Sequence, residues 1–400
     1  MDELREQDRR LHQAIVHHQE GRLAEAEGGY LALLAQFPDD PDLLHFLGML
    51  RAQQRRLDEG IALIRRSLER APENAHAWNN LGNVLASDNQ EEEAVGAYLR
   101  AINLDIEIGQ AWQNLGSAIG RSGNPKKAIA LFSRIIETTP GLVTAYEALG
   151  RVLRVMGLKD EAVAVYRRWL ELEPDRATAQ HLLAANSGQG VPDRAADSYM
   201  VELFDHFSKD FDEKLAKLGY SAPALLVERL RADVGDSAPL AHVLDAGCGT
   251  GLCAPLLRPF CTRLTGVDLS PGMLEKAQAR GGYDELVASE LCAYMRTKGA
   301  RFDAVISADT LVYFGALEEA MAAAKHCLKP GGRLTFTVEA LPQDDEDHAI
   351  QHHGRFAHSE KYLRRCLEQA GFTEPSIDRV ILRKEMGKDV HGLAVLTRAR

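Results

Sequence analysis

The residues best suited to chemistry lie in the run Asp245-Ala246-Gly247-Cys248-Gly249-Thr250-Gly251. Glycines at alternate positions let the backbone turn tightly and pass close to a ligand, and a helix starting after them offers free N–H groups to a negative group. Asp268 follows at the end of the next apolar run, where a carboxylate can hold the two hydroxyls of a ribose. Together they point to a nucleotide-type ligand. Two common versions of such a site do not fit. The dinucleotide fingerprint puts its third glycine three residues beyond the second, a position held here by Leu252. A Walker loop needs Gly-Lys-Ser/Thr after its glycines, and none follows.

Holding such a loop requires strands before and after it. From about residue 240 short apolar runs alternate with helical patterns, and strands are expected at 242–244, 264–267, 285–287, 304–306 and 334–338. Helices between successive strands imply parallel pairing and a doubly wound α/β sheet. The segment Ser187-Gly188-Gln189-Gly190-Val191-Pro192 reads as a linker in front of this half.

The first half has another order. Trp78, Trp112 and Tyr146 recur every 34 residues, as do Leu47, Leu81, Leu115 and Leu149, each followed by a glycine. A later column holds Ala26, Gly60, Ala94, Ala128 and Ala162, and four residues on come Tyr30, Ile64, Tyr98, Phe132 and Tyr166. Pro38, Pro72, Pro140 and Pro174 close the units, with Ile106 as the exception. Small columns let paired helices approach, the aromatic column fills the gap between neighbours, and proline stops the second helix of each unit. The first unit fits worst, with Arg10, Gln13 and Ala14 in the Trp, Leu and Gly columns, as suits a water-facing end cap.

This pattern resembles the tetratricopeptide repeat over about residues 7–176, five units, with a capping helix at 177–186. Stacking puts the first helix of each unit on a concave face, where Asn80 and Asn114 are placed to pair as a short ladder with an extended peptide backbone. Solvation or local hydrogen bonds are the alternative. No acid–base constellation occurs here, so the expected role is binding of a protein or peptide partner.

The spacing G-x-G-x-G behind Asp245 resembles motif I of the class I S-adenosylmethionine-dependent methyltransferases. Val267-Asp268-Leu269-Ser270 followed by Met273-Leu274 is similar to that family's ribose-binding segment, and Glu290-Leu291 stands where an acidic residue usually meets the adenine amino group. Arg301-Phe302-Asp303-Ala304-Val305-Ile306 and Leu328-Lys329-Pro330-Gly331-Gly332 resemble the fourth strand and the turn before the fifth. The resemblance implies S-adenosylmethionine as cofactor, held by Asp245, Gly247, Cys248, Gly249, Gly251, Asp268, Leu269, Met273, Glu290, Leu291 and Asp309. Tyr199, Phe204, Phe207, Phe211 and Tyr220 run through an aromatic–acidic stretch like that of methyltransferases whose first helices close over the cofactor, which implies lid helices over 197–232. The order of parts resembles bacterial tetratricopeptide-repeat-containing methyltransferases. It implies an all-α solenoid over 1–186 followed by a Rossmann-like methyltransferase domain over 187–400. Arg355-Phe356-Ala357-His358-Ser359 and Ala370-Gly371-Phe372, before a final strand pair, agree with that.

The acceptor side is harder to read, because a sulfonium methyl is already activated and a base is needed only when the nucleophile arrives protonated. Ala308-Asp309-Thr310-Leu311-Val312-Tyr313 is not the N-P-P-Y type, which argues against DNA amino groups and glutamine as targets. Tyr313 is expected to wall the methyl pocket, with plain packing as its alternative. His358 is the candidate base, since imidazole titrates near neutrality; capping of the helix near Ser359 is its alternative. His348 and His352 have metal-ligand spacing if helical, but the acidic insert around them, from Asp344 to His353, reads more simply as a solvated mobile loop, and no metal is expected.

Composition sets outer bounds. Four hundred residues at roughly 150 per domain allow two or three domains, and 45% hydrophobic with 26% charged residues is ordinary globular composition. The net charge of −11 divides as −6 before residue 187 and −5 after it. Neither half has the basic surface a nucleic-acid partner requires. No signal peptide or membrane-spanning run is legible. The six cysteines follow residue 240 without a C-x-x-C pair, which suits reduced thiols of a cytoplasmic protein. The expected function is a methyltransferase whose repeat arm recruits a protein or peptide. A small-metabolite or lipid- or glycan-linked acceptor, or a repeat scaffold with a cofactor-sensing domain, are the alternatives.

Overall fold

The computed structural model describes residues 2–105, 109–121, 125–138, 140–141, 143–207, 211–235, 239–343, 345–385 and 387–400. Ile106, Asp344 and residues 208–210 of the aromatic–acidic stretch therefore lie outside the described residues. The chain forms two compact units, Met1–Pro174 and Asp175–Arg400.

The first unit is a run of antiparallel helix pairs: α1 (Asp2–Gln19) with α2 (Leu23–Leu34), α3 (Pro41–Gln53) with α4 (Leu57–Arg70), α5 (Ala75–Ser87) with α6 (Glu91–Leu104), α7 (Gly109–Arg121) with α8 (Pro125–Thr138), and α9 (Val143–Val155) with α10 (Lys159–Leu172). Local chemistry sets their ends. The Asp40 carboxylate accepts from Asp42 N and Leu43 N at the start of α3, where Pro41 sits at the first helical position, and Asn74 caps α5 through Ala77 N. Trp78 Nε1 donates to Pro72 O at 2.8 Å and Tyr146 OH to Pro140 O at 2.9 Å, so the aromatic that opens one unit grips the proline that closes the unit before.

The repeat columns form the core. Leu47, Leu81, Leu115 and Leu149 are buried, as are Ala26, Ala94, Ala128 and Ala162, and Tyr30, Ile64, Tyr98, Phe132 and Tyr166. In three units the later column lies over the glycine of its own unit, Ile64 over Gly48, Tyr98 over Gly82 and Tyr166 over Gly150, while Gly116 is open. A Cβ at Gly82 would stand 2.5 Å from the Tyr98 ring, and one at Gly150 would stand 2.5 Å from the Tyr166 ring. The ring fills the volume that the glycine leaves.

The second unit begins with α11 (Ala177–Ser187), the helix expected to cap the solenoid. It belongs to the sheet unit. The His181 ring stacks on Tyr199 at 4.2 Å while its Nε2 bonds Gly354 O at 2.7 Å, and Asn186 Nδ2 donates to His352 O at 3.2 Å. The division accordingly falls after Pro174, ahead of the expected boundary at residue 186.

Next come α12 (Asp197–Phe207), α13 (Phe211–Lys217) and α14 (Ala222–Val234), where lid helices were expected. The alternating part follows: β1 (Leu240–Ala246), α15 (Ala254–Leu257), β2 (Cys261–Asp268), α16 (Pro271–Arg280), β3 (Glu285–Ala288), α17 (Leu291–Arg296), β4 (Phe302–Ser307), α18 (Glu318–Cys327) and β5 (Leu328–Ala340). The chain ends with β6 (His348–Ile350), β7 (Phe356–His358), α19 (Glu360–Gln369), β8 (Ser376–Glu385) and β9 (Lys388–Arg398). The first five strands pair in parallel in the order β3-β2-β1-β4-β5, and β9 joins β5 antiparallel with β8 beyond it. All five expected strands are present. The short strands β6 and β7 were not foreseen. Apolar residues fill both faces, among them Leu244, Val305, Phe336 and Val395 on one and Val243, Leu264, Ala304 and Ile306 on the other, so the carboxyl ends of β1, β2 and β4 are left as the open edge.

The ring-over-glycine packing has a signed consequence. Gly82→Ala drives a methyl into Tyr98 and should destabilise the repeats by about 1–3 kcal/mol, whereas Gly116→Ala, with nothing within 4 Å of the added carbon, should stabilise α7 by up to ~1 kcal/mol. Urea unfolding followed by helical circular dichroism distinguishes the two. Equal effects of the same sign would refute the packing argument.

Candidate active site

A cavity of about 220 Å³ lies at the carboxyl edge of the sheet, and the expected loop lines it through Gly247, Cys248 and Gly249. Gly247, Gly249 and Gly251 all have positive φ, of 79°, 53° and 85°, which side-chain-bearing residues rarely adopt. A Cβ on Gly247 would run into Thr310, while one on Gly249 would meet open space, so the loop presents bare backbone to the cavity.

Asp268 ends β2 facing that loop. Its Oδ2 accepts from Gly249 N at 2.8 Å and its Oδ1 from Ser270 N at 2.9 Å. Burial pushes its carboxyl up, and these backbone donors oppose the shift. Leu269, Met273, Glu290, Leu291, Asp309 and Tyr313 also line the cavity. Glu290 caps α17, its two oxygens accepting from Cys292 N at 3.0 Å and Ala293 N at 2.7 Å. Asp245 and Gly251 stand behind the lining. Asp245 accepts from Tyr283 OH at 2.6 Å, and burial pushes its carboxyl up to about 7.

Two helices of the segment expected to form a lid line the cavity. Phe204 of α12 and Phe211 and Leu215 of α13 line it, with Tyr220 from the turn after α13. Two aspartates fasten them to the loops. Ser270 Oγ donates to Asp205 at 2.5 Å, and Thr250 Oγ1 donates to Asp212 at 2.5 Å, with Arg280 also paired to Asp212. Of the other residues in the expected lid motif, Tyr199 packs on His181 outside the lining.

The opposite wall holds a group that the sequence reading missed. Arg383, only 3% exposed, pairs with Asp309 at 2.5 Å, with Glu385 at 2.7 Å and with Glu339. Arg355 bonds Glu339 at 2.6 Å and both oxygens of Glu385, at 2.7 and 2.9 Å. Burial alone would lower Arg383 and raise Glu385. Ion pairing outweighs it in both, keeping Arg383 firmly charged and bringing Glu385 to about 2. The register of β8 against β9 shifts between Ile381 and Arg383, so Leu382 and Arg383 are buried in succession. Strand alternation therefore could not have revealed an inward-facing arginine. Asp309 has a positive φ of 57°, held by its N–H donating to Thr337 Oγ1 at 2.8 Å, and its Oδ1 is buried with no hydrogen-bond partner.

His358 is not where a base would need to be. It is fully buried on β7, outside the cavity lining, with Nε2 bonded to Gly315 O at 3.0 Å and its ring stacked on Tyr362. Burial lowers its pKa to about 4, so the ring is a neutral core group, and the cap of α19 is Ser359. The helical reading of His348 and His352 also fails, because His348 lies on β6 opposite His358. Tyr313 does wall the cavity, edge-on to Phe204 at 5.5 Å. In the first unit, Asn80 Nδ2 bonds His45 Nε2 at 3.0 Å, and Asn114 Nδ2 donates to Asn79 and Asn83 at 3.1 and 2.8 Å, so both amides of the expected ladder have local partners.

Comparison with known proteins agrees with both halves. A family described as methyltransferase domain matches residues 244–336, and one described as tetratricopeptide repeat matches 47–114 and 114–180. Methyltransferase-like protein 27 of Homo sapiens is 37% identical over 161 residues, 38% of this chain and 61% of that protein. Malonyl-[acyl-carrier protein] O-methyltransferase of Pseudescherichia vulneris is 30% identical over 141 residues, 35% of this chain and 53% of that protein. The chain thus spans between half and two thirds of these relatives. Among solved structures, a Burkholderia thailandensis 1,6-didemethyltoxoflavin-N1-methyltransferase aligns with TM-score 0.41 and 26% identity, over 52% of this chain and 92% of that one.

The buried state of His358 sets a pH dependence. A histidine whose folded pKa is depressed binds fewer protons folded than unfolded, so its contribution is complete above the unfolded value of about 6.5 and is lost as pH falls towards 4. Each unit of that window costs about 1.4 kcal/mol. His358→Gln, which retains a donor for Gly315 O but cannot titrate, should show a shallower loss in urea unfolding between pH 6.5 and 4. Identical slopes for the two chains would place His358 in solvent contact.

Proposed function

We propose that this chain, which joins tetratricopeptide repeats to a class I methyltransferase domain, transfers a methyl group from S-adenosylmethionine to an acceptor recruited through the repeats. The observation that carries the reading is Asp268, fixed by two backbone N–H groups across from a bare glycine backbone at the rim of the cavity. Gly247 and Gly249 give the close backbone approach such a ligand needs, and the Asp268 carboxylate is the group for its ribose. Leu269, Met273 and Leu291 supply the apolar walls for the adenine, with Glu290 at its edge. S-adenosylmethionine, when bound, supplies a methyl group already activated by its sulfonium.

The chain's own work is then to orient the acceptor and exclude water. Alignment of a nucleophile can account for about 7–11 kcal/mol of a barrier. The lid residues Phe204 and Phe211, tied down by Asp205 and Asp212, keep solvent out, and Tyr313 walls the methyl position. The six cysteines are free and buried, which supports a reducing, cytoplasmic setting. No helix among the described residues is long and apolar enough to cross a membrane. Tetratricopeptide repeats generally mediate protein interactions, which supports a protein or peptide partner for the arm at Asn80 and Asn114.

Calorimetry with S-adenosylmethionine tests the cofactor half. The full chain should bind it, and Asp268→Ala should weaken binding at least about tenfold, as loss of a charged hydrogen-bonding group does. Unchanged affinity would mean that the ribose lies elsewhere. The arm has a separate test in lysate with labelled cofactor. A full chain carrying Asn80→Ala and Asn114→Ala should label macromolecules several-fold less than the wild type while binding cofactor equally. Equal labelling removes recruitment through these amides, and label confined to small molecules favours a metabolite acceptor.

A further inference from the structure

We propose that the cavity takes an amine as its methyl acceptor, with Asp309 receiving the proton that the nitrogen gives up. The inference rests on the methyl-transfer reading above and names its acceptor class.

Asp309, Arg355, Arg383 and Glu385 line the cavity, with Glu339 directly behind them. Three carboxylates and two guanidiniums leave this group one positive charge short. Both arginines are already committed: Arg383 to Asp309, Glu339 and Glu385, and Arg355 to Glu339 and Glu385. His353 faces the same Glu339, 3.5 Å away. Arg194, which also lines the cavity, is paired with Asp197, so among the described lining residues a carboxylate acceptor would find no uncommitted guanidinium and would add to the negative charge. Asp268 and Glu290 add two more carboxylates to the lining, so the cofactor's sulfonium leaves the cavity negative and an ammonium group supplies the charge still missing at this wall.

Hydrogen bonding points the same way. Asp309 Oδ2 is bound to Arg383, while Oδ1 is buried with no partner, a cost that a donor on the acceptor removes. The left-handed backbone at Asp309 is fastened by its N–H to Thr337 Oγ1, so the carboxylate is held rather than free to turn away. The remaining walls at this end are aromatic. Tyr220 and Tyr313 both line the cavity, and Phe204 packs edge-on against Tyr313. Aromatic faces around a carboxylate suit a cationic nitrogen better than a neutral hydroxyl. Burial pushes the Asp309 carboxyl up, which helps it keep a proton once taken.

The step balances. The ammonium gives one proton to the Asp309 carboxylate and becomes a neutral amine. Its lone pair forms the N–CH3 bond as the S–CH3 bond of S-adenosylmethionine breaks, leaving a neutral thioether and a charged N-methylated product. The proton on Asp309 passes to solvent when the cavity opens.

Binding measurements on the full chain test this without turnover. With the protein saturated by S-adenosylhomocysteine, calorimetry compares phenethylamine, phenethyl alcohol and hydrocinnamate, probes of one shape with different heads. The amine should bind about tenfold tighter than the alcohol, and the carboxylate weakest of all. Asp309→Asn should reduce amine binding by a factor about ten times larger than its effect on S-adenosylhomocysteine binding. Absence of any preference for the amine, or tightest binding of the carboxylate, overturns the acceptor class. An amine preference that survives Asp309→Asn overturns the part given to Asp309. Failure of the wild type to bind S-adenosylhomocysteine overturns the underlying methyl-transfer reading instead, and is seen before any probe is added.

Discussion

The second unit is organised around one buried carboxylate. Asp268 accepts from Gly249 N on one side and Ser270 N on the other, so the loop after β1 and the loop after β2 are held at a fixed separation. Ser270 then extends the chain of bonds: its Oγ accepts from Met273 N, starting α16, and donates to Asp205 of the lid. A second line runs through Thr250, whose hydroxyl meets Asp212 and whose carbonyl accepts from Arg280 Nε at 2.8 Å. Glycine loop, Asp268 and the helices α12 and α13 thus share one network. Burying Asp268 is unfavourable taken alone, and charge-assisted bonds to backbone donors are what compensate for it. A shift in any one of these loops would change the cavity's width directly.

The opposite wall solves a different problem. Buried ion pairs seldom add net stability, because the desolvation of both charges can exceed their attraction. Arg383 nevertheless meets three carboxylates at 3% exposure. Its place on the cavity wall gives that expense a purpose: the cluster fixes Asp309 against a strained backbone and leaves one oxygen of it unbonded. Apolar residues of the same volume would pack the strand equally well but could neither orient a carboxylate nor set the charge of the cavity.

The two walls differ in how legible they are in the sequence. Gly247, Gly249, Gly251 and Asp268 act through local backbone geometry, so short-range spacing reveals them, and the five strands follow from apolar runs dense enough to be seen singly. Arg383 and Glu385 share β8, but Glu339 comes from β5 and Arg355 from the turn before β7, and no local spacing joins these three segments. The signal is further hidden by the irregular register at Ile381–Arg383, which breaks the alternation that would mark Arg383 as outward. His358 shows the reverse error. Its residue type suggests a base, but β6 and β7 are three-residue strands with no pattern of their own, and their pairing is what seals His358 beneath Tyr362. The helix at 177–187 read as a cap because it follows the last repeat without a break in helical pattern; His181 stacking on Tyr199 and the bonds of His181 and Asn186 to Gly354 and His352 assign it to the sheet unit.

In the repeats the columns were legible and their partners were not. The period of the sequence predicts which residues are equivalent, and it gave the leucine, alanine and aromatic columns that are buried. It does not say which equivalent residues touch. Asn80 reaches His45 and Asn114 reaches Asn79, each one period plus one residue back along the chain, so the polar groups of successive first helices bond from unit to unit. In a structure whose stability is a sum of unit and neighbour terms, such links strengthen the neighbour term. A peptide laid along this face would have to exchange bonds rather than fill vacancies. Exchange of one hydrogen bond for another is close to neutral in free energy, whereas leaving a buried amide without a partner is costly. A partner binding there would therefore have to present its own donors and acceptors in register with these amides.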